Sequence, residues 1–156
     1  MESLLKLKCR TLVLCFFYLS IISSKAQQIH NYNDVAFQSN NELKSKVDFI
    51  LNSNDLVSTE SNHFSRSFSV SPTILDIRYE RLNLINRIDT SQISNLKYCI
   101  LRLRNNVNPI NLSAINVLTN LELLHIIIET DYISNPTVIN LNNLNLIITY
   151  QISVPQ

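Results

Sequence analysis

The chain contains no glycine and no tryptophan in 156 residues, and only 16% of its residues are charged. A protein of average composition carries about 7% Gly. Its absence removes every motif whose backbone requires that residue: the dinucleotide-binding fingerprint, the phosphate-cradling loop, the EF-hand turn and the nucleophile elbow of hydrolases. Cysteine is scarce too, with Cys9, Cys15 and Cys99.

The first of the features present is an N-terminal address. Lys6, Lys8 and Arg10 form a positive region, Thr11 to Ile22 is an apolar run, and Ser24-Lys25-Ala26 places small residues where a signal peptidase reads. This order predicts a secretory signal over residues 1–26, cleaved after Ala26. The run falls short of the about 20 apolar residues of a membrane-spanning helix. Cys15 follows Leu14 inside the run, which disfavours a lipid-modified cysteine. The expected product is secreted, periplasmic or held at the cell surface, with no stable membrane span after cleavage. Four of the 13 basic and one of the 12 acidic side chains leave with the signal, so 9 and 11 remain, a net charge of −2. That balance argues against a nucleic-acid partner, which normally meets a basic stripe. Cys99 stays alone in an apolar run, which removes an intramolecular disulfide and predicts core packing.

Two compositional parts follow. Residues 27–73 are rich in Asn, Ser and Gln and read as a polar, capping segment with one helix. Leu43, Val47, Ile50 and Leu51 share one helical face, Ser39 and Glu42 form a capping box ahead of it, and Asn52-Ser53-Asn54 ends it. Phe64, Arg66, Phe68 and Val70 alternate with serines as a half-buried strand would, and Pro72 closes that stretch. From Ile74 onward, Ile and Leu dominate, interleaved with Asn.

Residues 74–152 repeat with a period of about 24. Ile93, Leu118 and Leu141 stand three residues before Leu96, Leu121 and Leu144, each of the latter preceded by Asn (Asn95, Asn120, Asn143). Cys99, Leu124 and Ile147 follow, and then Leu101, Ile126 and Thr149, with a degenerate copy upstream at Leu75 and Ile77. The pattern L-x-x-L-x-x-L-x-L, clearest at 118–126, resembles leucine-rich repeats of the short, internalin-like bacterial kind. That resemblance implies a solenoid of three or four parallel strands with a helical N-terminal cap, and a role in binding proteins or other macromolecules. Arg104, Glu129 and Ile152 stand where the family usually has Asn. Stacked units of this sort bury their faces only against one another, so Leu75, Cys99, Leu124 and Ile147 are expected to be equivalent inward positions. Ile110, Leu112, Ile115 and Leu118 would line a returning segment. A compact α+β or β-sandwich domain is the alternative, since the apolar runs at 99–103, 124–128 and 146–150 also suit strands buried on both faces. The Asn pairs 105–106 and 142–143 are its candidate turns.

Catalytic signals are weak. His30, His63 and His125 lack metal-ligand spacing, and Asp55, Glu60 and Asp131 lack calcium-loop spacing. Asp76, Glu80 and Asp89 lie among Arg78, Arg81 and Arg87, where ion pairing explains them better than paired-carboxylate chemistry. Asn111-Leu112-Ser113 is a glycosylation sequon, meaningful in a eukaryotic secretory pathway. The expectation is a non-catalytic binding module with no cofactor or metal, a protein or glycan partner, and room for a homo-oligomer. An envelope-associated, self-assembling protein is the second expectation and a small enzyme the last. In the repeat register Asp76, Arg78, Tyr79, Ile100, Arg102, Leu103, His125, Ile127, Ile128, Ile148 and Tyr150 flank the inward pairs. Arg78, Tyr79, Arg102, Leu103, His125, Ile127, Ile128 and Tyr150 form the candidate binding face. So apolar a face requires a cover. Either a partner lies on it or residues 27–73 fold back over it, the preferred reading, because the helix needs a surface of its own.

Overall fold

The computed structural model describes residues 28–54, 56–58, 65–66, 72–131 and 135–153. The expected signal and most of the 64–70 strand lie outside them. Among the described residues no helix is long and apolar enough to cross a membrane.

The fold is α/β. Among the described residues nine strands occur in chain order: β1 (Ile29–Asn31), β2 (Leu56–Ser58), β3 (Ser65–Arg66), β4 (Ile74–Arg78), β5 (Tyr98–Leu103), β6 (Ile110–Asn111), β7 (Leu123–Ile128), β8 (Val138–Ile139) and β9 (Ile147–Ile152). Three helices, α1 (Val35–Gln38), α2 (Asn41–Asn52) and α3 (Thr90–Ile93), and two 3₁₀ segments, Tyr79–Arg87 and Ser113–Val117, fill the connections. The main sheet runs β1-β9-β7-β5-β4-β2-β3, and β6 and β8 form a second, parallel pair. Six strands of the main sheet are parallel, and only β3 pairs antiparallel, on β2. A parallel sheet departs from the β-sandwich alternative.

The register follows the repeat, with one slip. Leu75 pairs with Cys99, and Cys99 with Leu124, as the spacing predicts. The next partner is Ile148, not Ile147. The preceding column moves by two residues: the Leu96 amide bonds to the Ile93 carbonyl and that of Leu121 to Leu118, and the equivalent donor in the last unit is Leu146, bonding Asn143. Leu146 is therefore buried, while Leu144, expected in that place, is exposed. The stretch Asn143-Leu144-Asn145-Leu146 offers two leucines two residues apart, and periodicity alone does not choose between them. The ladder does, because the Ile147 amide must reach the Glu122 carbonyl, as Glu122 reaches Lys97 and Lys97 reaches Thr73.

Alternation along each strand divides the apolar side chains between two faces. Leu75, Ile77, Cys99, Leu101, Leu103, Leu124, Ile126, Ile128, Ile148 and Tyr150 point into the larger core. Ile110, Leu112, Ile115 and Leu118 close that core from the far side, all buried. Cys99 sits fully buried there, and burial pushes its thiol well above the ordinary range. On the other face Ile74, Ile100, Leu123 and Ile127 meet Phe37, Leu43, Val47 and Ile50. Each fully buried Leu or Ile contributes about 2 kcal/mol, so neither core is dispensable.

The helical cover forms for local reasons. Leu43, Val47 and Ile50 lie on one face of α2, while Lys46–Glu42 and Lys44–Asp48 pair at i,i+4 on the outside. The N-cap is Asn40, whose Oδ1 accepts the Leu43 amide at 3.1 Å, rather than Ser39. Ser39 is already the C-cap of α1, its hydroxyl donating to the Ala36 carbonyl. One helix was expected in this segment; the short turn before it displaces the cap by one residue.

Candidate functional site

The face beneath α2 changes character along the strands. Where the strands enter, Ile74, Tyr98, Ile100, Leu123 and Ile147 are apolar and packed on the helix. Toward the carboxyl ends the same side of the sheet carries Asp76 on β4 and Arg102 on β5, and Glu129 just past β7. Open parallel sheets place ligand sites at that end.

Arg102 organises this end. Its Nε donates to Asp76 Oδ1 and its Nη2 to Oδ2, both at 2.8 Å, a bidentate pair. Its Nη1 donates to Glu129 Oε1 at 3.3 Å, and Arg104 Nε reaches Glu129 Oε2 at 3.0 Å. Asn105 Nδ2 donates to Glu80 Oε1 at 3.2 Å. The two carboxylates beside Arg102 are largely shielded and Arg102 is about one-third exposed, while Arg104 and Glu80 face solvent. Bonding to Asp76 raises the Arg102 guanidinium further above its ordinary value. Both acids are engaged by guanidinium groups, an arrangement suited to holding shape and presenting charge rather than moving protons.

His125 lies one residue pair deeper, fully buried between strands. Its Nδ1 bonds Thr149 Oγ1 at 2.8 Å, and Tyr32 stacks edge-on with ring centroids 6.0 Å apart. Nε2 has no hydrogen-bond partner. Burial lowers the imidazole to about 4, with the positive Arg102 adding to the effect; Gln151 acts in the opposite sense without bonding Nε2. The ring is neutral near pH 7. Tyr32 also ties this spot to the cover: its hydroxyl donates to Asp48 Oδ1 at 2.6 Å, and that carboxylate raises the phenol above its usual value.

The eight residues expected on one binding face divide between the two sides of the sheet. Arg78, Arg102, His125 and Ile127 lie on the α2 side, Ile127 only 4% exposed and His125 fully covered. Leu103, Ile128 and Tyr150 point into the opposite core, the Tyr150 hydroxyl donating to Asn135 Oδ1 at 3.0 Å. Tyr79 begins a 3₁₀ segment and its hydroxyl accepts the Asn111 amide, also on that far side. Counting two residues past an inward position returns to the inward face, and for this reason Leu103 and Ile128 do not flank it. The segment before β4 supplies the cover over the apolar half, as preferred above. Only Arg78 and Arg102 of the eight reach the charged end. Glu129 and Arg104 stand where the leucine-rich repeats that the sequence resembles usually have Asn, and neither was grouped with Arg102. The signal was present in outline, since opposite charges recur about one period apart at Asp76, Arg102 and Glu129.

Among the described residues no cluster of three His, Cys, Asp or Glu side chains is placed to hold a metal. No protein-family profile matches the chain, and no curated protein or solved structure matches it at a significant level.

Proposed function

We propose that the chain is an exported, non-catalytic binding module built as a short leucine-rich-repeat-like stack, with the charged strip at the carboxyl ends of its strands as the recognition surface. The observation that carries this reading is the parallel ladder β4-β5-β7-β9, in which residues 24 or 25 apart pair in sequence, Leu75 to Cys99 to Leu124 to Ile148. Stacked repeats of this spacing present residues in rows across neighbouring units, which suits an extended protein or glycan partner. With α2 over the apolar half of the face, the strip formed by Arg78, Arg102, Arg104, Glu80 and Asn105 is the part left to meet a partner. Its mixed charges favour polar, orientation-specific contacts over non-specific adhesion.

The test begins with export. Cells expressing the chain from Met1 should deliver it outside the cytoplasm with Gln27 as its N-terminus. The purified product should then bind saturably to a glycan array or to intact cell surfaces. Arg104→Gln, at an exposed position, should weaken that binding at least tenfold with little change in melting temperature, since Arg102 still bonds Glu129. Cytoplasmic retention would defeat the localisation, and binding indifferent to Arg104→Gln would defeat the surface.

A further inference from the structure

The last unit of the stack, like the stretch 105–121 before it, is uncharged. Residues 135–153 contain no charged side chain, whereas the 3₁₀ segment nearer the other end carries Glu80, Arg81 and Arg87. Among the described residues, half of the exposed large apolar side chains lie here, Leu144 at 66%, Ile139 at 41% and Ile152 at 38%, the others being Val35, Phe49 and Val117. Between β1, the edge of the main sheet, and β8, the edge of the small one, runs a groove of about 350 Å³ lined by Ile29, Val138, Ile139, Leu141 and Leu144.

We infer that this end is an interface between two copies of the chain related by a two-fold axis, with β8 of each copy pairing antiparallel to β8 of the other. Three observations argue for that occupant. A two-fold axis places surface residues against their own counterparts, so any charge near it meets a like charge, and the segment 135–153 carries none. A head-to-tail contact would instead press the uncharged end on the charged one and strip water from ions that gain no partner. The third is the backbone of β8. The carbonyls of Thr137 and Ile139 turn toward β6, accepting from Ile110 and Leu112. Alternation then turns the N–H and C=O of Val138 outward. An antiparallel mate centred on Val138 would exchange both bonds, closing an edge that is otherwise a template for uncontrolled pairing. Ile139 on that strand and Leu144 beyond it would fill the groove of the partner copy. This dimer uses none of the residues of the charged strip and leaves it free.

The experiment is sedimentation of the chain, expressed from Met1 and purified as the host processes it, at micromolar to high micromolar concentration. A discrete dimer is expected. Leu144→Asp and Leu144→Lys, each at a site exposed in one copy, should both be monomeric with an unchanged thermal transition. Mixing the two variants should restore a dimer containing one of each, because opposite charges then meet across the axis. If either variant loses its transition, the pair Ile139→Asp and Ile139→Lys replaces it. A monomeric parent chain overturns the inference and assigns the groove to another occupant. An open-ended series of oligomers, a dimer unaffected by these variants, or mixed variants that stay monomeric overturns the two-fold arrangement.

Discussion

The two cores on either side of the main sheet are assembled by different rules. The larger one is periodic: Leu75, Cys99, Leu124 and Ile148 repeat one position in successive strands, and each unit is completed by the next. The smaller one has no repeat on its helical side, where Phe37, Leu43, Val47 and Ile50 meet Ile74, Ile100, Leu123 and Ile127 across long stretches of sequence. A stack grows by adding like pieces; its cover is a separate element that must match several of them at once. Loss of one repeat contact should therefore be felt throughout the ladder, and loss of one cover contact chiefly in the docking of α2.

The strongest way to break that contrast is Ile127→Asp. A carboxylate beneath α2 has no partner there, and burying it unpaired is too costly for a small domain. Circular dichroism should show no cooperative transition, or a weakened one with α2 detached; a native-like melt would mean the helix does not pack on Ile127. Next is Leu124→Ala in the larger core, with an expected loss of about 2–5 kcal/mol through the cavity it leaves. Denaturant titration should show it with an unchanged slope.

Acidification acts on the boundary between the two regions. His125 is held neutral in the fold at about 4, whereas a free imidazole titrates near 6.5. As pH falls, the unfolded chain takes up this proton first. Stability from this group is thus complete above about pH 6.5 and declines toward pH 4, by about 3 kcal/mol at most. His125→Leu should flatten the stability profile in that window; an undiminished slope would locate the acid sensitivity elsewhere. The smallest effect belongs to the cover alone. Asn40→Ala removes the N-cap of α2 and should cost about 1 kcal/mol, read as a small drop in melting temperature with the ladder intact.

What was legible beforehand divides along the same line. Strand positions at 99–103 and 124–128 and the inward residues Cys99 and Leu124 followed from spacing, because each apolar column repeats in chain order; each strand begins one residue earlier in the structure. The helix at 41–51 followed from its 3.6-residue period. The last unit did not, since Leu144 and Leu146 satisfy the column equally and backbone bonding across strands selects the second. The ion cluster was legible only as charges of opposite sign near one period apart; joining Asp76, Arg102 and Glu129 required knowing that their strands are neighbours and that all three fall at the same end. The β1 strand gave no signal, being three residues, Ile29–Asn31, set against β9 from the far end of the sequence.

The asparagines that recur beside the leucines have a consequence for the setting in which the stack can operate. Asn120 donates to the Ser94 carbonyl, Asn143 to that of Leu121, and Asn116 both donates to the Asn140 carbonyl and accepts the Asn142 amide. These clasps join one unit to the next with neutral amides, which neither titrate nor attract counterions. Salt screens exposed charges over a few ångströms to tens of ångströms, so brine would loosen the Arg102–Arg104 side of the molecule and leave the amide side as it was. A chain fastened in this way keeps these amide contacts whatever the ionic strength around it.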